Sequence, residues 1–230
     1  MKRTLIDQAK HLLTLIGRSL SARQVRQLQA SLNYIRTGLW VRNHGYNLQQ
    51  RVNGRERVWD VAADRLGNRQ VLYIEIGVAA GESMRYWSAR LRHPGCCLHG
   101  FDSFEGLPHG GGPWIRQQFD QKGLPPRVDD PRVRFFKGWF EQTIPLYSPP
   151  PHEVLLLNMD ADLYSSTLYV LRQLRPLLRG GSLLYFDEMN HPEHEPQAFD
   201  EFMSETGMRF KLICADRSLA HQLFECVELN

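Results

Sequence analysis

The sequence lacks a long hydrophobic run. No apolar stretch among its 230 residues approaches the roughly 20 residues that a transmembrane helix needs. Basic residues precede an apolar pair at the amino terminus, but Asp7, Lys10 and His11 interrupt any signal-peptide core. We therefore expect a cytoplasmic protein with no membrane span.

Cysteine is also scarce. The chain has four cysteines, Cys96, Cys97, Cys214 and Cys226. They show neither a C-x-x-C pattern nor the spacing of a metal site. The first two enter a predicted strand and the other two have apolar neighbours. Buried free thiols in a reducing compartment are the simplest interpretation.

A strong excess of charge is missing as well, since the net charge is only +3. Its distribution is uneven: residues 1–70 carry 13 Lys or Arg against 4 Asp or Glu. Residues 4–16, 21–36 and 55–66 have helical periodicity. Basic helices can contact acidic lipid or nucleic acid, but aromatic and basic residues are not interleaved here. We therefore favour a cap or an interface in a homo-oligomer, and we expect no nucleic-acid partner.

From Val71 onward, short apolar runs alternate with helical stretches. This alternation predicts a Rossmann-like α/β fold with a mostly parallel seven-stranded sheet and an antiparallel last strand. We expect a catalytic domain over 71–230 and a basic helical extension over 1–70. The predicted strands are 71–76, 97–101, 133–136, 154–158, 182–186, 209–214 and 222–228, and the predicted helices are 81–92, 166–178 and 195–205. Residues 105–131 form a long loop, of a length typical of functional lids or disordered segments.

The first strand of this fold ends in a glycine turn, E-x-G-x-x-x-G, formed by Glu75, Gly77 and Gly81. Glycines at that turn let a ligand approach the backbone closely. The turn is not the G-x-G-x-x-G of dinucleotide binders, and no P-loop lysine follows, so binding of a nucleoside triphosphate is unsupported. Asp102 ends the second strand, where an acidic residue can accept both ribose hydroxyls. Together these features favour an adenosine-containing ligand.

Two apolar runs end in acidic pairs. Asp160 and Asp162 follow one run, and Asp187 and Glu188 follow the next. Because parallel strands present their carboxyl ends at one edge of a sheet, the four carboxylates should converge. Unpaired carboxylates do not gather without a large free-energy cost, so a hard cation is the simplest explanation.

Six sequence blocks resemble the macrocin O-methyltransferase (TylF-type) family. They are YIEIG at 73–77, GESMRYW at 81–87, GFDSFEGLP at 100–108, GWFEQTIP at 138–145, DADLYSST at 160–167 and YFDE at 185–188. The resemblance implies a class I methyltransferase fold and a reaction that methylates a sugar hydroxyl with S-adenosylmethionine and Mg²⁺. Ala79 departs from the further glycine of many methyltransferases, and the first 70 residues match only loosely.

The resemblance also implies roles for individual residues. At the cofactor it places Glu75 and Gly77 beside the methionine part and Asp102 at the ribose. It places Ser103 and Phe104 beside the adenine, and Trp139 and Phe140 over the pocket. Three further residues would lie near the cofactor: Gly81, Ser83 and Asp160. It makes Asp160, Asp187 and Glu188 the metal ligands. We expect Asp162 to be the general base, and the alternatives are that it is a fourth metal ligand or that it caps the following helix.

Other interpretations stay open. His191 and His194 could bind zinc, contact the substrate or simply be exposed to solvent, and the last is the simplest. Trp114 and Phe119 could stack on a sugar or anchor their loop. A metal-dependent phosphoesterase would explain the carboxylates but not the glycine turn, and a non-catalytic cofactor-binding module would not need all four. The sequence does not identify the acceptor.

Overall fold

The computed structural model describes residues 2–47, 50–110 and 113–227. Gly111 and Gly112 of the predicted long loop, and residue 228 of the last predicted strand, lie outside the described residues. The helices are α1 (Lys2–Ser19), α2 (Ala22–Asn43), α3 (Arg55–Leu66), α4 (Glu82–Arg90), α5 (Phe140–Thr143), α6 (Tyr164–Leu174) and α7 (Glu195–Thr206). The strands are β1 (Arg51–Val52), β2 (Val71–Ile76), β3 (Cys97–Asp102), β4 (Val133–Lys137), β5 (Val154–Met159), β6 (Leu183–Phe186), β7 (Arg209–Asp216) and β8 (Gln222–Val227).

The strands form one sheet in the order β1-β7-β8-β6-β5-β2-β3-β4. Strands β2 to β6 pair in parallel, and β8 is antiparallel to both β6 and β7. This arrangement confirms the predicted Rossmann-like class I methyltransferase fold with its antiparallel last strand. The two-residue strand β1 adds an eighth member, parallel to β7. Two residues are too few to show a strand periodicity, which is why the sequence did not predict it.

Helices cover both faces of the sheet. Along β2, the side chains of Leu72 and Ile74 pack into a core with α6 and α7, whereas Val71 and Tyr73 pack into a second core with α3 and α4. Successive side chains of a strand point to opposite faces, so a strand covered on both sides reads as an unbroken apolar run. The apolar runs in the sequence have this origin.

The amino-terminal helices are attached to the rest of the molecule at one end only. In the second half of α2, Thr37 donates a hydrogen bond to the backbone carbonyl of Met189, and the Trp40 indole donates to Asp200. Before Thr37 the described side chains of α1 and α2 are mostly exposed. The helix α3, in contrast, packs in the core. The domain boundary at residue 70 stays a prediction.

Two further expectations concern the whole chain. No helix in the described part of the chain is both long and apolar enough to cross a membrane. All four cysteines are free, and Cys96, Cys214 and Cys226 are buried, as predicted.

Candidate active site

The glycine turn lies at the point where the strand order reverses, between β2 and its neighbours β3 and β5. In open α/β sheets this crevice is where ligands bind. A Cβ atom on Gly77 would lie 1.9 Å from the backbone oxygen of Asp160, and Gly77 has φ +82°. Only glycine therefore allows the backbone after β2 to pass so close to the backbone after β5. Ala79 also has a positive φ, +44°, at the position where the sequence departs from the usual glycine.

The carboxylate of Asp102 organises this turn. Its Oδ2 accepts hydrogen bonds from the backbone N–H groups of Val78 and Ala79, both at 2.8 Å, and its Oδ1 accepts one from the Phe104 N–H at 2.7 Å. A carboxylate has about four acceptor positions, so about one remains for a ligand hydroxyl. Asp102 thus holds the turn in shape in addition to facing the cavity.

Two buried acceptors lie near the turn without partners. Glu75 accepts a hydrogen bond from Ser83 on Oε1, and the nearby Tyr73 hydroxyl lowers the pKa of the Glu75 carboxyl. Its buried Oε2 still has no hydrogen-bond partner among the described residues. The Asn158 amide donates to the Tyr73 hydroxyl, and its buried Oδ1 is likewise unpartnered. Burial raises the pKa of Glu75 to about 8. Leaving such acceptors unpaired costs about 1–3 kcal/mol each, so the pair is complementary to a ligand that donates hydrogen bonds. This fits the cationic amino group of an amino-acid cofactor.

The four carboxylates predicted to converge do lie together. Burial, Asp187 and Asp162 raise the pKa of Asp160 well above its ordinary value. Burial and Asp187 raise the pKa of Glu188 to about 8. Each carboxylate therefore destabilises the charge on its neighbours, which a cation would reverse.

The described residues nevertheless contain no preformed cluster of three or more side chains with the geometry of a metal site. The donor set of Asp160, Asp187 and Glu188 still has the chemistry that Mg²⁺ prefers, since carboxylate oxygens are hard ligands. Like charges without a cation between them repel, so an open arrangement is the expected state of these side chains alone.

Three residues that the sequence analysis did not single out hold the second acidic pair. The Tyr185 hydroxyl donates to Asp187 Oδ1 at 2.6 Å, and His221 Nδ1 lies 3.1 Å from the same oxygen. Burial alone would raise the pKa of Asp187, but these contacts outweigh it and hold that pKa below its ordinary value. The buried Glu195 accepts a hydrogen bond from the Glu188 backbone N–H at 2.8 Å. His221 is distant in sequence from any motif, and Glu195, seven residues after Glu188, belongs to none of the matched blocks.

Asp162 faces the same space from a strained backbone. It is only 6% exposed, has φ +58°, and no hydrogen-bond donor among the described residues contacts its carboxylate. Burial, Asp187 and Asp102 raise its pKa to about 7. The alternative that Asp162 caps the following helix is wrong: α6 begins at Tyr164, its N-cap residue is Leu163, and no side chain caps it. Non-glycine residues keep a positive φ only where the surroundings enforce it, often at functional sites.

One cavity of about 700 Å³ unites these groups. Ten of the predicted residues line it: Gly77, Ser83, Asp102, Ser103, Trp139, Phe140, Asp160, Asp162, Asp187 and Glu188. Glu75, Gly81 and Phe104 are not among its lining residues. Glu75 lies behind Ser83, and the ring of Phe104 is fully buried against Phe135. Arg55 and Trp59 of α3 also line the cavity, although the sequence analysis assigned them no role.

The long loop closes one side of the cavity through His109, Gln118 and Phe119. Trp114 is only 6% exposed, and its ring packs edge-on against His191 and His194, with centroids 4.7 Å apart in both pairs. Trp114 is therefore a loop anchor. The expectation of simple solvent exposure for the two histidines was wrong, because this indole half-buries them.

Comparison with known proteins agrees with this picture. The sequence profile of the macrocin O-methyltransferase (TylF) family matches residues 112–221. One relative, from Streptomyces olivaceus, is named 8-demethyl-8-(2,3-dimethoxy-alpha-L-rhamnosyl)-tetracenomycin-C 4'-O-methyltransferase. It is 31% identical over 140 residues, which are 50% of this chain and 51% of the relative. Demethyldecarbamoylnovobiocin O-methyltransferase from Streptomyces niveus is 37% identical over 89 residues, 38% of this chain and 33% of the relative. The chain thus spans about half the length or less of these curated relatives.

Among solved structures, the O-methyltransferase NovP superimposes with a TM-score of 0.60 at 24% sequence identity. The alignment covers 76% of this chain and 81% of NovP, and it shows that the two proteins share a fold. The sequence blocks, the family match and this fold agree with one another: residues 112–221 of the chain match the macrocin O-methyltransferase (TylF) family, as the sequence blocks indicated.

Proposed function

We propose that this protein transfers a methyl group from S-adenosylmethionine to a hydroxyl group of a sugar, with the help of Mg²⁺. One observation carries the proposal: a single cavity is lined by the glycine turn, Asp102, the unpartnered acceptor of Asn158 and four carboxylates. The first group suits an adenosine and amino-acid cofactor, and the second suits an acceptor hydroxyl that must lose a proton.

When bound, S-adenosylmethionine supplies an electrophilic methyl group, and Mg²⁺ supplies a Lewis acid that orients and acidifies a hydroxyl. The protein's own part is to align the two reactants and to take the proton. Asp162 is the proposed base, since its carboxylate lines the cavity and the described residues offer it no hydrogen-bond donor. Asp160, Asp187 and Glu188 are the proposed holders of the metal.

The names of the relatives support a sugar as acceptor. The Streptomyces olivaceus enzyme is named for the 4' position of a rhamnosyl group. A third relative, at 31% identity over 103 residues, is named mycinamicin III 3''-O-methyltransferase, from Micromonospora griseorubida. We propose a glycosylated small molecule as the acceptor class for this chain.

Binding of S-adenosylhomocysteine, followed by calorimetry with and without Mg²⁺, tests the proposal. We expect the product cofactor to bind and to raise the melting temperature, and Mg²⁺ to raise it further. Transfer of a labelled methyl group to a panel of glycosylated compounds would then identify the acceptor. No binding of S-adenosylhomocysteine would refute the proposal, and binding that is indifferent to metal and never leads to transfer would favour a non-catalytic module.

We further propose that the protein self-associates through α2. Five apolar residues of this helix recur at alternating spacings of three and four, which is the heptad pattern of helices that pack against helices. All are at least 43% exposed, and they form the α2 seam: Val25, Leu28, Leu32, Ile35 and Leu39. On α1, Ile6, Leu13 and Ile16 are exposed in the same manner.

Charge and area favour a second copy of the chain as the partner. The residues flanking the α2 seam are largely uncharged, including Gln24, Gln29 and Ser31, and Arg36 already pairs with Glu193 at 3.0 Å. Two copies can therefore meet without opposing like charges, whereas an anionic lipid surface would be matched by flanking Lys or Arg. The exposed apolar side chains of both helices present on the order of 1,000 Å², comparable to the roughly 800 Å² per partner of a standard interface.

A further inference from the structure

The charges around the cavity are strongly one-sided. Arg55 is the single arginine or lysine among the described residues that line it. Seven acidic residues line the same cavity: Glu82, Asp102, Glu141, Asp160, Asp162, Asp187 and Glu188. A ligand that carries a carboxylate is therefore repelled almost everywhere in the cavity except near Arg55.

Arg55 is held in a defined position. It begins α3 directly after Gly54, and its guanidinium lies over the ring of Trp59, 5.3 Å from the centroid. One of its nitrogens, Nη2, pairs with Glu82 at the start of α4. A guanidinium has five N–H donors, so several remain free for a second carboxylate. The side chain is about one-third exposed, which leaves it accessible from the cavity.

Glu75 and Asn158 offer the opposite chemistry. Their buried Oε2 and Oδ1 atoms accept no hydrogen bond from the described residues. Ser83, which donates to Glu75, also lines the cavity, as do Asn158 and Arg55. An α-amino acid carries an ammonium with three donors and a carboxylate with acceptors only, and so fits a site that combines unpartnered acceptors with one arginine.

We propose that Arg55 binds the α-carboxylate of the cofactor's methionine moiety while Glu75 and Asn158 bind its ammonium. The inference rests on the proposed function and deepens it by assigning a cofactor-binding residue in the amino-terminal region. Arg55 then determines specificity, because it makes the protein prefer cofactors that retain the amino acid over fragments that end at the sulfur.

Isothermal titration calorimetry with two ligands tests this assignment. S-adenosylhomocysteine has the amino-acid group, and 5'-methylthioadenosine has the same adenosine and sulfur without it. For Arg55→Gln we expect the Kd for S-adenosylhomocysteine to rise about 10-fold or more, as expected for a lost charge-assisted hydrogen-bond pair. The Kd for 5'-methylthioadenosine should stay within about 2-fold of wild type, since that ligand has no carboxylate.

The matched control is Arg57→Gln. Arg57 lies in the same helix and is not among the residues lining the cavity. Its side chain is 71% exposed and pairs with Asp60. It should change neither Kd. Unchanged S-adenosylhomocysteine binding by Arg55→Gln would overturn the inference, as would an equal loss for both ligands. If Arg55→Gln does not fold, Arg55→Lys should retain part of the preference for S-adenosylhomocysteine. Absence of binding to the wild-type protein would instead refute the proposed function.

Discussion

Two regions of the molecule leave groups without partners, and they differ in which groups these are. The exposed parts of α1 and α2 leave apolar side chains uncovered, such as Leu13 at 67% and Ile35 at 70% exposure. The carboxyl edge of the sheet instead leaves buried polar atoms unpaired, on Glu75 and Asn158. The stabilisation gained by covering apolar surface depends on the area that is buried, whereas a buried acceptor needs a donor at one position and angle.

The two regions therefore fit different kinds of partner. An extended apolar seam with a heptad spacing fits another protein surface. A cavity with unpartnered acceptors, clustered carboxylates and one arginine fits a small molecule with complementary charges. Four sets of substitutions test this distinction.

Gly77→Ala should have the largest effect, at the edge of the sheet. The added Cβ would meet the Asp160 backbone oxygen at 1.9 Å, in a backbone conformation unfavourable to alanine. We expect the free energy of unfolding to fall by on the order of 4 kcal/mol, measured by urea denaturation. The control is Gly207→Ala, which has φ +69° in the left-handed region but no atom within 4 Å of the added Cβ. It should cost only about 1 kcal/mol. Equal losses for both would show that steric overlap at Gly77 is not decisive.

Asp162→Asn should abolish most turnover while leaving the cofactor site intact. An amide cannot take the proton from the acceptor hydroxyl, so we expect kcat to fall about 100-fold or more. The Kd for S-adenosylhomocysteine should change little in calorimetry. The control is Asp129→Asn, at an exposed position in the long loop 105–131. It should leave both kcat and the Kd unchanged. Wild-type turnover by Asp162→Asn would remove Asp162 from the mechanism.

A charge in the α2 seam should separate the copies. We expect the pair Leu28→Glu and Ile35→Glu, made together, to convert an oligomer into a monomer in light scattering coupled to size exclusion. Two opposed carboxylates cannot be buried in an apolar interface without a large cost. Gln27→Glu, on the polar side of the same helix, should leave the mass unchanged. A wild-type protein that is monomeric at micromolar concentration would contradict the self-association.

The remaining effect is a pH dependence of stability at Glu75. Burial raises its pKa to about 8 in the folded protein, against an ordinary value of 4.5, with Asp102 and Asp187 adding to the shift. Between these values the folded chain binds more protons than the unfolded chain, so stability falls as pH rises. The slope should reach at most about 1.4 kcal/mol per pH unit.

Glu75→Gln isolates this contribution, because the other shifted carboxylates are common to both proteins. We expect the wild type to lose stability relative to the variant between pH 5 and pH 8 in parallel urea titrations. Parallel curves for the two proteins across that range would show that Glu75 does not titrate as its burial implies.

Much of the fold was predictable from local patterns. The runs at Val71–Ile76 and Val154–Met159 are almost entirely apolar because both faces of the sheet are covered, and the ends of these strands place Gly77 and Asp160. The edge strand β1 was not predictable. The predicted helix 166–178 was too long at its end: α6 ends at Leu174, and Pro176, which is visible in the sequence, lies in a separate 3-10 turn.

The site divides in the same way. Its acidic residues follow strands directly, and their position at the sheet edge is a consequence of the chain passing from β5 or β6 into the next loop. Arg55 and His221 reach the same place from other parts of the chain, and no spacing links them to the motifs.

Local patterns in the sequence were enough to predict the alternation of strands and helices, the glycine turn and the convergence of four carboxylates, because each depends on neighbouring residues. The position of Arg55 beside those carboxylates, and the lack of a hydrogen-bond donor at Asp162 among the described residues, became known from the folded structure. The folded structure also decided that Trp114 is buried against two histidines. These facts depend on packing between segments far apart in the chain, which local periodicity does not encode.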